Sequence, residues 1–275
     1  MNLLDKIIEY VKNNPGCMAK DLARTFEVER SEINSFLYKY KNKYFKVDDY
    51  YRWYLIVDID EDVENGIYID FEGTAVDPPV MLGLMYKKND GNDYFEQMIF
   101  EPLLKTAAEA KSINGGENRY CVYLDSLEDA LMRVIKISRV EKRKIYAWSI
   151  REENVFFDSK ISSEEKGRLE IVNALKVARQ WARKNYDITK IPKNDRGGKY
   201  TLENFAKIFD FEIPRMLRSG NSASRLRSVM GQLKKRHYYE NLTPVTKRKW
   251  NNFLMHNKYD LILTKKILKE IYNNH

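Results

Sequence analysis

Between residues 67 and 73 the chain reads Ile-Tyr-Ile-Asp-Phe-Glu-Gly. Side chains of a strand alternate between two faces, so Asp70 and Glu72 point to the same side. The residues leading up to them, Ile67 to Ile69, are strand formers. Two carboxylates on one strand face repel unless something positive lies between them. A divalent ion with oxygen ligands is the natural solution. Residues 79–86 and 94–100 read as second and third strands, with Asn89-Asp90-Gly91-Asn92 as the turn between them, so a three-strand antiparallel meander is predicted. Residues 102–120 hold a short helical piece and a Gly115-Gly116 loop. Leu127, Leu131, Val134 and Ile135 mark a helix, and residues 144–148 a fourth strand. Residues 168–186 read as one long helix with Leu169, Val172, Leu175, Ala178, Trp181 and Ala182 inward. The order β-β-β-α-β-α predicts a mixed sheet flanked by helices, in the α/β (α+β) class.

The first sixty residues follow another pattern. Leu4, Ile7, Ile8 and Val11 form one face of a helix over residues 3–13, stopped by Pro15-Gly16. Leu22, Ala23 and Phe26 give a second helix, and Ile33, Phe36 and Leu37 a third. Strand-forming runs at 44–47 and 51–55 flank a polar turn at Asp48-Asp49. Three helices and a β-hairpin is the order of a winged helix-turn-helix, whose third helix lies in a groove while the wing touches the backbone. The expected division is residues 1–57, an acidic linker over 58–66, and residues 67–275. A chain of 275 residues, 43% of them apolar, has enough material for two cores.

Lys and Arg number 48 against 40 Asp and Glu, a net charge of +8. That balance favours an anionic partner, nucleic acid first. Cys17 and Cys121 are the only cysteines and His237, His256 and His275 the only histidines, which leaves neither a disulfide framework nor a His/Cys zinc cluster. No run approaches the ~20 apolar residues that span a bilayer, and Met1-Asn2-Leu3-Leu4-Asp5 does not open like a signal peptide. The expectation is a cytoplasmic protein without a membrane partner; no pattern bears on oligomeric state. Arg215, Arg218, Arg225, Arg227, Lys234, Lys235 and Arg236 crowd into one stretch, adjoined by His237, Tyr238 and Tyr239. Lys247, Arg248 and Lys249 follow, next to Trp250. Such side chains contact phosphates and stack on unpaired bases, although a charge run also serves as a solvated face.

Two family resemblances attach to these residues. The stretch Ile33-Asn34-Ser35-Phe36-Leu37-Tyr38, with Trp53 in the wing, resembles the Z-alpha winged-helix family that binds left-handed duplexes. The resemblance implies nucleic-acid contacts from Asn34 and Tyr38, Trp53 packed on Tyr38, and Arg30 where the family carries Lys. The family's wing has a proline pair that Asp48-Asp49-Tyr50-Tyr51 lacks, so selectivity for left-handed duplex stays open. From about Ile67 onward the chain resembles the RNase H-like nucleases of the DEDD exonuclease superfamily. The motifs are Asp70-Phe71-Glu72-Gly73 followed by Pro79-Val80-Met81-Leu82-Gly83, then Tyr146-Ala147-Trp148-Ser149-Ile150-Arg151-Glu152, and His256-Asn257-Lys258-Tyr259-Asp260. A fainter echo is Tyr200-Thr201-Leu202-Glu203-Asn204-Phe205-Ala206.

The second resemblance implies a nuclease of 3′–5′ exonuclease type. Asp70, Glu72, Glu152 and Asp260 would hold two Mg²⁺ or Mn²⁺ ions, with Asp70 bridging. Glu153 and Asp158 stand near enough in sequence to replace Glu152. His256 takes the position of the family's water-orienting Tyr and is expected to act as general base on water, not on the ion. Arg225, Arg227, Lys234, Lys235 and Arg236 would hold the phosphates. The alternative is a nucleic-acid-binding regulator with a degenerate nuclease fold. DNA or RNA, end or interior, one strand or two are all left open, because RNase H-like folds host every combination.

Overall fold

Ile7 and Val11, one turn apart on α1 (Leu3–Asn13), are fully buried, as the spacing of apolar residues requires. The computed structural model describes residues 3–41, 44–55, 59–74, 78–88, 90–113, 121–149, 169–191, 193, 198–214 and 222–273. Among them the architecture is mixed α/β, with ten helices, a three-stranded sheet and a six-stranded mixed sheet. Two compact units divide at Asp62 and Val63. No helix among the described residues is long and apolar enough to cross a membrane.

In the first unit α1 is followed by β1 (Cys17–Met18), α2 (Ala19–Phe26), α3 (Arg30–Lys39), β2 (Phe45–Val47) and β3 (Arg52–Leu55). β3 lies in the middle, antiparallel to both neighbours, with Val47 and Cys17 each opposite Trp53. The two-residue β1 is absent from the predicted order. Gly16, in the left-handed region at φ 81°, turns the chain so that its amide donates to the Trp53 carbonyl at 2.9 Å. Ile7, Val11, Leu22, Ile33, Leu37, Phe45 and Trp53 form the core. Much of the stretch read as a linker is helical: α4 spans Ile59–Glu64. Its end belongs to the second unit, where Val63 is fully buried and Glu64 accepts from Lys87 at 2.6 Å and Lys269 at 2.8 Å.

The second unit runs β4 (Ile67–Glu72), β5 (Met81–Lys87), β6 (Asp93–Ile99), α5 (Lys105–Ile113), β7 (Cys121–Tyr123), α6 (Leu127–Glu141), β8 (Ile145–Ala147), β9 (Ile171–Asn173), α7 (Ala174–Asn185), α8 (Leu202–Ile208), α9 (Ser222–Arg236) and α10 (Pro244–Asn273). Its sheet has the order β7-β6-β5-β4-β8-β9. β4, β5 and β6 are antiparallel; β8 runs parallel to β4, β9 to β8, and β7 to β6. Two strands are missing from the predicted order, β7 and β9. β9 lies inside the residues expected to be helical, and Val172 pairs with Tyr146 in place of facing a helix core. The helix begins only at Ala174, where the Asn173 side chain accepts from the Lys176 amide at 2.9 Å. A three-residue strand shows no period of its own; it exists because β8 supplies the ladder.

The sheet has two dressed faces. Ile67, Ile69, Leu82, Leu84 and Met98 pack under α6. Met81 and Ile99 face the other way, into a cluster with Leu226, Val229 and Leu233 of α9 and Trp250 and Phe253 of α10. α10 has 30 residues, about 45 Å at 1.5 Å per residue. Thr243 caps it, accepting from the Thr246 amide at 3.3 Å, and Pro244 occupies the first helical position, where no amide is needed. Further along, Ile267 and Ile271 join Ala178, Trp181 and Phe205 in another core.

Candidate metal centre

Asp70 and Glu72 sit on β4 on the face turned toward α10. Asp70 is directly opposite Gly83, and Gly83 directly opposite Gln97. The three form one row across three strands, and α10 crosses the row at Asn257. That side chain is fully buried and fits only because position 83 has none: a Cβ there would stand 2.1 Å from Asn257 Oδ1. Asn257 Nδ2 donates to Asp70 Oδ2 at 2.8 Å and to the Asp70 carbonyl at 3.2 Å. Its Oδ1 accepts from Gln97 Nε2 at 3.2 Å, and the same Nε2 donates to the Leu254 carbonyl at 2.6 Å. Gln97 thus turns the Asn257 amide so that its NH₂ group can only face Asp70.

His256 and Asp260, four residues apart, share a face of α10. His256 Nε2 lies 3.6 Å from Asp260 Oδ2; the ring is 8% exposed and the carboxylate 26%. A ring nitrogen of His256 and one carboxylate oxygen each of Glu72 and Asp260 all lie within 4.8 Å of one another. At the start of α9, Ser222 Oγ donates to Glu72 Oε2 at 2.6 Å.

The acids are hard to ionise together. Burial pushes Asp70 up to about 7, against the hydrogen bond from Asn257. Burial and then the Asp70 charge push Glu72 up to about 8, with Ser222 and Arg225 pulling the other way. Asp260 is held well above the usual carboxylate range by burial, then by Asp70 and Glu72. All three keep partial exposure, so a small ion can reach them. Carboxylates gathered this closely favour a cation among them.

The other expected site residues fall in several places. Glu152, with Glu153 and Asp158, lies outside the described residues, as do Arg215 and Arg218. The positive charge of Arg225 acts on Glu72, and Arg227 Nη1 donates to the Thr74 carbonyl at 3.0 Å. Lys234, Lys235 and Arg236 are exposed in the last turn of α9, where Arg236 Nη1 donates to the Asn241 carbonyl at 2.8 Å. His237 and Tyr238 are exposed beyond it. Tyr239 carries the ammonium of Lys247 over its ring at 5.4 Å. Trp250, expected as a base-stacking aromatic, is fully buried: its Nε1 donates to the Ala107 carbonyl at 3.2 Å and its ring stacks on Phe253. Helical spacing places it on the core face of α10, away from the lysines beside it in sequence.

In the first unit Arg30, Asn34 and Tyr38, spaced by four along α3, line a surface cleft of about 300 Å³ with Lys20, Tyr51 and Trp53. Tyr38 meets Trp53 edge-on at 5.2 Å, half exposed while Trp53 is buried.

Gln97 and Ser222 are absent from the sequence-derived set. A glutamine inside an apolar strand and a glycine in the middle of the next one were the available signals for the first; nothing local marks the second. Comparison of the chain with models of known protein families, with curated proteins and with solved structures finds no match.

Proposed function

We propose that this protein is a metal-dependent nuclease that hydrolyses phosphodiester bonds at the Asp70–Glu72–Asp260 cluster. The observation that carries the reading is the convergence of acids from β4 and α10, far apart in sequence, on one partly open site with His256 at its edge. The strand arrangement adds support: an antiparallel β4–β5–β6 meander with β8 parallel beside β4 is in keeping with the mixed sheet that the resemblance to RNase H-like nucleases implies. The helices and small sheet of the first unit suit a winged helix, and its cleft offers Arg30, Asn34 and Tyr38 to a nucleic acid.

The donor set fits the group this reading requires, since carboxylate oxygens are what Mg²⁺ or Mn²⁺ takes. Asp70, Glu72 and Asp260, joined by Glu152, would hold two such ions, which when bound lower the pKa of the attacking water and stabilise the leaving oxygen. Asn257 fixes the rotation of the Asp70 carboxylate and leaves Oδ1 free to coordinate. Ser222 does the same for Glu72. Exposed Lys234 and Lys235 offer a phosphate strand a positive rail.

Purified protein should degrade an end-labelled oligonucleotide with Mn²⁺ and stop with EDTA. Asp70→Asn keeps the shape and the Asn257 contact but removes the charge. The rate is expected to fall ~10²-fold or more, ~2.7 kcal/mol in the barrier, with oligonucleotide affinity unchanged. Oligonucleotide binding without metal-dependent cleavage in the parent protein would leave the binding-only regulator as the better account.

A further inference from the structure

Resting on that metal reading, we infer that His256 is itself a ligand: its imidazole nitrogen joins one oxygen of Glu72 and one of Asp260 in a mixed nitrogen–oxygen site that takes a transition ion such as Zn²⁺ or Co²⁺. From the sequence, the ring is expected to act on the attacking water. The geometry points elsewhere. The 3.6 Å from Nε2 to Asp260 Oδ2 is too long for a hydrogen bond. It is close to the spacing of two donors on one ion: at ~2.1 Å from a tetrahedral centre, ligands stand ~3.4 Å apart. The third donor, Glu72, completes a triangle whose sides are all within 4.8 Å.

The arrangement of the elements agrees. Two ligands at i and i+4 on one helix face is a spacing by which helices chelate metals. The third comes from β4, so the triangle is held by a strand and a helix of one core. The ring is 8% exposed, so packing restricts the orientations open to it. Imidazole suits Zn²⁺ and its neighbours, whereas Mg²⁺ is served by oxygen alone. The chemical consequence is a site that discriminates among divalent ions through one side chain.

The test is calorimetric titration of the metal-stripped full chain with Zn²⁺, Co²⁺ and Mg²⁺, for the parent and for His256→Gln. An all-oxygen site also prefers Zn²⁺ to Mg²⁺, so the decisive quantity is what the substitution removes. Affinity for Zn²⁺ and Co²⁺ should fall about 100-fold or more in His256→Gln while affinity for Mg²⁺ changes by less than about threefold. Nitrogen NMR of the parent gives a second readout independent of the variant's folding. With three histidines in the chain, Zn²⁺ should shift a ring nitrogen of His256 at one equivalent. Unchanged Zn²⁺ affinity in His256→Gln, or a His256 nitrogen that does not move on Zn²⁺ binding, overturns the ligand assignment and leaves an imidazole merely adjacent to Asp260. Failure of the parent to bind any divalent ion overturns the metal reading itself, a different outcome from the first two.

Discussion

Gly83 and Asn257 occupy one space between them. With the amide of Asn257 lodged where a Cβ would be, alanine at 83 puts an atom 2.1 Å from Oδ1, and the asparagine cannot simply swing away. It is fully buried and short, and its amide is held by Gln97 on one side and Asp70 on the other. Gly83→Ala should therefore expel it, leaving Gln97 and Asp70 short of partners, for a cost of about 3 kcal/mol. Combining it with Asn257→Ala should cost less than the sum of the two, since the added methyl then enters vacated space. Chemical denaturation of the four proteins measures this, and an unchanged midpoint for Gly83→Ala would refute it.

At the level of elements, α3 and α10 present their candidate site side chains by the same device, a four-residue spacing that lines them along one face. On α3 the stripe is Arg30, Asn34 and Tyr38, with Trp53 of β3 behind it. Ile33 and Leu37 of the opposite face carry the core, so the stripe can change without the unit unfolding. Replacing Asn34 and Tyr38 together by Ala is expected to weaken duplex binding about tenfold or more at fixed salt. Thermal stability should drop by no more than about 1 kcal/mol. Fluorescence anisotropy on a labelled duplex reads the first quantity; equal affinity of parent and variant would make the stripe a packing or protein-contact surface.

For the whole molecule, two groups of charges act on stability in opposite pH ranges. Burial alone would raise Glu64, but hydrogen bonds from Lys269 and Lys87 and the charge of Lys265 hold it at about 2. Its stabilisation is present above the ordinary value of 4.5 and is lost as pH falls toward 2. The clustered acids of β4 work the other way. Asp70 and Glu72 hold their protons in the folded chain up to about 7 and about 8, while the unfolded chain releases them near pH 4. Folding then binds more protons than the unfolded state across that window, and stability declines as pH rises through it. Metal-free protein should accordingly be most stable near pH 4, by urea denaturation in EDTA. Added Mn²⁺ should restore stability at pH 8 much more than at pH 5, because the ion competes with protons for the same oxygens. A gain equal at both pH values would place the bound ion elsewhere.

Alternation at residues 67–72 was enough to put Asp70 and Glu72 on one face, because a strand's period is a local property of the backbone. The apolar stripes of α1 and α6 were legible for the same reason. What lay beyond reach was anything whose cause is a partner far along the chain. β9 is extended because β8 lies beside it, and its Ile171-Val172 pair fits a helix equally well on its own. Trp250 shares a sequence neighbourhood with lysines and a spatial one with Ala107 and Phe253, since a helix separates adjacent residues onto different faces. The sequence shows His256 four residues before Asp260, yet only the packing of α10 against β4 brings Glu72 to the same ring. The Gly83–Asn257 fit has a similar origin: nothing local in either residue points to the other, and the contact arises from a helix crossing a strand at one point. Periodicity settles which way a side chain points, and the long-range packing of separate elements settles what it meets.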